Sequence, residues 1–392
     1  MKSDRNHTSP KLLNPGPVTL SERVRAALLG EDLCHREPEF AALQAEIRES
    51  LVNLYSPAAR NFTAVLLAGS GTAAVEAMVS SLVPRDGEAL VVVNGVYGER
   101  MVAMLQAQGK TARVAAADWT EPMNLETVER ILAEERKVTH VLAAHHETTT
   151  GRLNDLPALG AICRRYGASL LLDCVSSFGA EEIDFEGWNL EACAGTANKC
   201  LHGAPGVSFA LARKAALETR RSAATSLYLD LFRYYSEQSN GSTPYTMPAH
   251  ICYALAEALR ELEDGGGWRA RRQRYVALSR SVFEGLREQG VQPLLDISRP
   301  SSSVLTAYRV PAGYDYTSLH EFLKAAGFVI YAGQGKFNQQ IFRIAVMGAI
   351  DSVDVARLLA YFRRFWNRDA GLIKAASATT EKLTSLCEGM IA

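Results

Sequence analysis

Short, mostly apolar runs alternate with amphipathic stretches through the first two thirds of the chain. Ala64-Val65-Leu66-Leu67-Ala68, Ala89 to Val93, Thr111 to Ala115, Val138 to Ala144, Leu170-Leu171-Leu172 and Val207 to Ala212 read as strands. A short apolar run bounded by glycine or polar residues suits a strand covered on both faces. Helical spacing appears in Ser21 to Leu29 and Glu39 to Leu54, then after the first strand, where Val75, Met78, Val79 and Leu82 share a face, and again in Leu125 to Glu135 and Leu156 to Tyr166. This alternation predicts an α/β fold built on a mostly parallel sheet with helices on both sides.

The pattern changes at Gly265-Gly266-Gly267, which predicts a domain boundary. Beyond it come a charged helix from Trp268 to Gln289, strands at Val304 to Arg309, Phe328 to Tyr331 and Ile341 to Ala345, and helices at Ser318 to Ala326 and Val353 to Trp366. The expected organisation is an N-terminal segment (1–35) packed on the small domain, a large domain (36–265), a smaller C-terminal α+β domain (266–366) and a tail (367–392). The tail has the pattern of an amphipathic helix and carries no candidate chemistry.

Composition narrows the function classes. A chain of 392 residues with 47% apolar content buries a large core, and a net charge of -1 argues against nucleic acid or a membrane surface held by bulk electrostatics. The 7 cysteines are irregularly spaced, without a CxxC pair, and read as reduced core residues. Met1 to Pro10 is polar, without the apolar run of a signal peptide, and no stretch approaches a membrane span. A soluble, cytoplasmic protein is expected.

Candidate chemistry gathers where predicted strands end. Asp173 closes the run Leu170-Leu171-Leu172, and a charge at the end of a buried strand needs a partner or a task. Lys199 follows in the small-residue segment Gly195 to Gly206. Separately, a surface lysine and a helix cap explain these residues. Together, a strand-end carboxylate and a loop lysine suit pyridoxal phosphate, with the lysine forming the Schiff base and the carboxylate holding the pyridine nitrogen protonated. Ser70-Gly71-Thr72, Tyr97 and Glu147-Thr148 stand on loops after other strands, and parallel strand ends share one edge. The glycine turn lacks the phosphate-loop and dinucleotide fingerprints, and Tyr97 by itself suits packing. Arg343 in the apolar run Ile341 to Ile344 fits a structural ion pair or a substrate anion equally well. Neighbouring His145 and His146 point to opposite faces of a strand, so no metal is expected there. Cys174 and Cys200 read as small core residues.

Taken together, Gly69-Ser70-Gly71-Thr72, Asn94 to Gly98, Glu147-Thr148-Thr149-Thr150-Gly151, Asp173 to Gly179, Ala197-Asn198-Lys199-Cys200 and Phe342-Arg343-Ile344 resemble the class V aminotransferases. Asn-Lys-Cys and Ser-Ser-Phe-Gly are most similar to the branch that transfers the amino group of 2-aminoethylphosphonate to pyruvate, and the resemblance runs from Leu12 to Trp366. It implies a fold-type I homodimer whose active site is shared between subunits, with pyridoxal 5'-phosphate as cofactor and small amine and keto acid substrates. It assigns Lys199 and Asp173 to catalysis, Tyr97 to stacking on the cofactor ring, and Thr148 to its phenolic oxygen. Ser70, Gly71, Thr72 and Asn198 would hold the phosphate, with Thr246 reaching it from the other subunit, and Arg343 would bind the substrate's carboxylate or phosphonate. Cys34-His35-Arg36 departs from the Trp-Asp segment of that branch towards other class V enzymes. The alternatives are a class V enzyme acting on alanine, serine or glyoxylate, and a protein that binds the cofactor without turning it over.

Overall fold

The computed structural model of the protein describes residues 10–55, 60–296 and 301–367. In chain order β1 (Lys11–Leu12), α1 (Glu22–Ala27) and α2 (Pro38–Asn53) lead to β2 (Phe62–Ala68), α3 (Gly71–Leu82), β3 (Glu88–Val93), α4 (Val96–Ala107), β4 (Thr111–Ala116), α5 (Leu125–Glu134) and β5 (Val138–Ala144). A hairpin of β6 (His146–Glu147) and β7 (Arg152–Leu153) precedes α6 (Leu156–Tyr166), β8 (Ser169–Asp173), β9 (Leu190–Thr196) and β10 (Val207–Arg213). Then come α7 (Lys214–Thr219), α8 (Leu231–Ser239), α9 (Ala249–Asp264), α10 (Gly267–Arg287), β11 (Leu305–Arg309), α11 (Tyr316–Ala325), β12 (Phe328–Val329), β13 (Tyr331–Ala332) and β14 (Ile341–Ala345). A last helix, α12, spans 352–367.

The central sheet has 7 strands in the order β2-β10-β9-β8-β5-β3-β4. Only β10 runs against its neighbours, and the other pairings are parallel. Alternate residues of each strand serve different cores. Leu66, Leu90, Val141 and Leu172 pack with α2, α5, α6 and α9, whereas Leu67, Val91, Leu142 and Leu171 pack with α3, α4 and α8. Two covered faces explain why these strands are mostly apolar.

The sequence pattern missed β9. Its residues Leu190 to Thr196 are all buried, yet they include Glu191 and a run of small side chains. Both features have local causes: Glu191 is paired with Arg220 at 2.7 Å, and a Cβ on Gly195 would stand 2.4 Å from the Phe209 ring of the next strand. A glycine is therefore required where β9 meets that ring, and with the glutamate it breaks up the apolar signal. The missed helices α7 and α8 are short, at 6 and 9 residues.

The smaller C-terminal unit is a 3-stranded sheet, β11-β14-β13, packed against α10, α11 and α12. The N-terminal segment joins it. Lys11 and Leu12 pair with Phe328 and Val329, Ala345 N donates to Leu13 O at 2.8 Å, and Leu13 and Val18 lie in the same core as Leu305 and Leu358. This anchoring carries Asn14-Pro15-Gly16 across the edge of the large sheet. Residues 368–392, with the amphipathic reading of the tail and Cys387, lie outside the described residues. The other cysteines are free thiols, all buried except Cys34. No helix of the described residues is long and apolar enough to cross a membrane.

Candidate active site

Five parallel strands, β2, β3, β5, β8 and β9, end on one edge of the sheet, and the segments after them meet around a cavity of about 160 Å³. Ser70, Gly71 and Thr72 come from the turn after β2, Tyr97 and Arg100 from the start of α4, His146 from β6, Asp173, Val175 and Ser176 from the end of β8, and Thr196, Asn198 and Lys199 from the end of β9. A larger cleft of about 550 Å³ lies between α10 and β11, lined by Arg272, Arg280 and Arg287 and by no lysine. Size is a weaker guide than chemistry, and the smaller cavity holds the lysine and the strand-end carboxylate.

Lys199 sits three residues past the end of β9, in a turn closed by hydrogen bonds from His202 N to Lys199 O and from Gly203 N to Ala197 O. Its Nζ donates to the carbonyl of Pro15, so the N-terminal segment lies over the amine. Burial pulls the ammonium down to about 8 from its ordinary 10.5, against the opposing pull of Cys200 and Asp173. Asp173 is buried, and one of its oxygens accepts a hydrogen bond from Val175 N at 3.0 Å while the other has no donor among the described residues. Burial raises this carboxyl, opposed by that N–H and by the cations Arg100 and Lys199. A positive group against the free oxygen would return it to the ionised form.

The turn before α3 is shaped for an anion. Ser70 is the N-cap, but its side chain accepts no capping hydrogen bond, which leaves first-turn N–H groups facing the cavity. Gly71 is required by close approach, since a Cβ there would lie 2.7 Å from Val175. Beside this turn His146 is clamped: its Nδ1 lies 3.1 Å from Ser176 O, and Ser176 Oγ donates back to His146 O at 3.1 Å. Burial lowers the imidazole to about 4, so it is neutral, and its Nε2 has no hydrogen-bond partner among the described residues.

Next to the cavity lies a buried polar layer. Thr148 Oγ1 donates to Tyr97 Oη at 2.8 Å, and Arg343 donates to the carbonyls of Thr148 at 3.1 Å and Ala332 at 2.9 Å. Glu147 is fully buried and accepts from Tyr97 N at 3.2 Å and Thr149 N at 3.1 Å, so its carboxylate caps α4. Burial raises Glu147 to about 7. Arg343 has no ion-pair partner among the described residues, which leaves its charge available to a ligand.

The family profile described as aminotransferase class V matches residues 25–349. The chain belongs to the class V aminotransferase family. It is 36% identical over 351 residues to the 2-aminoethylphosphonate–pyruvate transaminase of Bacillus mycoides (strain KBAB4), covering 89% of this chain and 95% of the relative. Among solved structures it is similar to an alanine–glyoxylate aminotransferase from Nostoc sp., with a TM-score of 0.85 and 27% identity over 93% of this chain and 97% of the other. It is also similar to an aspartate aminotransferase from Thermus thermophilus, with a TM-score of 0.82 and 27% identity over 90% and 98% of the two chains. The protein is thus an aminotransferase with the fold-type I architecture.

In this aminotransferase Ser70, Gly71, Thr72, Tyr97, Asp173, Asn198 and Lys199 line one cavity, as the sequence motifs anticipate. Thr148 and Arg343 stand in the adjoining polar layer and not in the cavity wall. Thr246 is exposed, in the segment between α8 and α9, and does not line the cavity of its own chain. His35 and Arg36 are also outside it. One local expectation is corrected: Tyr97 is not on a loop but in the first turn of α4, because the Glu147 carboxylate satisfies the backbone there. The sequence motifs assign no role to Arg100, Ser176 or Thr196, and His146 enters them only as a rejected metal ligand. Arg100 follows Tyr97 by one helical turn, a relation that counts only once Tyr97 lies in α4.

Proposed function

We propose that this enzyme interconverts 2-aminoethylphosphonate and pyruvate with phosphonoacetaldehyde and alanine, using pyridoxal 5'-phosphate held in the cavity at Lys199. The juxtaposition of a depressed lysine, a carboxylate with one free oxygen and an uncapped helix N-terminus carries the cofactor assignment. The donor set fits the cofactor: an amine for its aldehyde, a carboxylate for its ring nitrogen and backbone N–H groups for its phosphate. The identity with the Bacillus transaminase carries the substrate assignment.

When bound, the cofactor supplies an electron sink for the carbanion formed at the donor's amine-bearing carbon. Lys199 Nζ, neutral in part at physiological pH, would take the proton from that carbon and deliver it to the cofactor's C4' carbon, and would carry it the opposite way when the keto acid is aminated in the second half of the cycle. Asp173 presents its free oxygen to the ring nitrogen and keeps it protonated. Ser70, Gly71, Thr72 and Asn198 bind the phosphate, and Tyr97 covers one face of the ring with Thr148 holding its hydroxyl. Arg343 is the anion ligand for the phosphonate of one substrate and the carboxylate of the other, its backbone contacts fixing the guanidinium plane.

The enzyme is proposed to work as a homodimer in which the partner subunit's Thr246 completes the phosphate site. Support comes from an exposed apolar patch beside the phosphate turn: Leu227 is 74% and Tyr228 42% exposed, Tyr228 Oη donates to Ala68 O at 3.0 Å, and the Tyr228 and Tyr245 rings are 4.9 Å apart. A second reading, transfer between alanine or serine and glyoxylate, is favoured by the likeness to the Nostoc structure and separates by donor choice. The direct test is alanine formation from pyruvate with 2-aminoethylphosphonate as donor. Wild-type protein is expected to form it and Lys199→Ala to lose both turnover and the visible absorbance of the bound cofactor. Normal turnover in Lys199→Ala would overturn the assignment.

A further inference from the structure

The charges around the cavity do not match its proposed ligand until Arg100 is counted. A phosphate monoester carries about -1.5 to -2 charges near neutral pH. Ser70, Gly71, Thr72 and Asn198 offer only neutral donors, and a helix N-terminus contributes about half a positive charge. Of the charged side chains lining the cavity, Lys199 is committed to the cofactor's aldehyde carbon and Asp173 to its ring nitrogen. The remaining one is Arg100.

Its geometry suits the task. Arg100 Nη1 donates to Thr72 Oγ1 at 3.3 Å, so the guanidinium stands at the phosphate turn itself. The guanidinium carbon lies 5.1 Å above the Tyr97 ring, which aims the side chain back across the first turn of α4 into the cavity. No carboxylate pairs with it, and its other N–H groups meet no acceptor among the described residues. A planar fork with vacant donors next to a helix N-terminus is suited to bidentate contact with a phosphoryl group. We propose that Arg100 is the cationic ligand of the cofactor's phosphate. This inference rests on the cofactor reading above and adds to it the group that selects the phosphorylated form.

The test compares pyridoxal 5'-phosphate with pyridoxal, which shares the ring and aldehyde but lacks the phosphate. Cofactor-free wild-type, Arg100→Gln and Arg100→Lys proteins are titrated with each compound, and dissociation constants are read from fluorescence quenching. Arg100→Gln is expected to weaken pyridoxal phosphate by about tenfold or more and pyridoxal by less than about twofold, since only the charge-assisted contact is lost. Arg100→Lys, which keeps the charge without the fork, is expected to lose less than Arg100→Gln, again for the phosphorylated compound alone. Retained pyridoxal binding doubles as the control for folding. If Arg100→Gln binds neither compound, the Arg100→Lys comparison decides. Equal losses for the two compounds would overturn the proposal by placing Arg100 on the ring side, towards Asp173, as would no loss for either. Wild-type protein that takes up neither compound would overturn the cofactor reading as well.

Discussion

Burial holds Lys199 near 8, so a neutral amine is present at a pH where an exposed lysine is almost wholly charged. Uptake of pyridoxal phosphate by the cofactor-free protein needs that neutral form. Its rate is therefore expected to rise with pH and level off above about 8, where a surface lysine would continue rising towards 10.5. Stopped-flow absorbance across pH 6.5 to 9.5 checks this. Asp173 acts in the opposite sense, through charge. Asp173→Asn keeps the size and the acceptor for Val175 N but loses the charge that holds a ring nitrogen protonated. It should still take up cofactor, with turnover lowered by about a hundredfold or more. Both residues were legible from sequence because each interrupts a readable pattern, the carboxylate ending an apolar run and the lysine following a small-residue segment. Arg100 and His146 interrupt nothing, and their importance depends on which unpaired atoms face the cavity.

The start of α4 shows how elements hold the site. Its capping group comes not from the preceding residues but from Glu147, fifty residues on, and Gly95 makes room for it: a Cβ there would lie 2.1 Å from Glu147 Cδ. Gly95 is in extended backbone, so the requirement is steric and not conformational. Gly95→Ala is expected to destabilise the protein by about 2 kcal/mol or more through overpacking, read from denaturant unfolding. The buried carboxyl also links stability to pH. Its folded value of about 7 exceeds the ordinary 4.5, so between those limits the folded state binds more protons than the unfolded chain. Stability from this group is complete below pH 4.5 and is lost as pH rises through about 7. Glu147→Gln should show a smaller fall in Tm between pH 5 and 7.5 than the wild type. The same long-range logic limits what sequence shows about elements. Strands β2, β3, β5 and β8 are legible because two covered faces demand mostly apolar runs, whereas β9 carries a glycine required by the Phe209 ring and a glutamate paired with Arg220. Those partners lie on other segments, and local patterning cannot find them.

Over the whole molecule, the sheet edge gathers five strand ends, and the C-terminal unit brings the N-terminal segment over Lys199. The α/β architecture was legible because strand and helix periods alternate, and the family likeness supplied the order of the site segments. What surrounds the substrate was legible only in part: Arg343 stands out as a charge in an apolar strand, whereas its contacts with the Thr148 and Ala332 carbonyls come from distant segments. The proposed dimer has its own test: Leu227→Asp, placed in the exposed patch beside the phosphate turn, is expected to shift the protein towards monomer in sedimentation and to weaken cofactor retention. Cofactor-loaded enzyme mixed with 2-aminoethylphosphonate, and separately with alanine, serine and aspartate, reports amino transfer to the cofactor by loss of its visible absorbance. Transfer from 2-aminoethylphosphonate requires rapid loss with that donor and with alanine, the reverse donor, and recovery on adding pyruvate. No change with 2-aminoethylphosphonate alongside full conversion by serine or aspartate would contradict it.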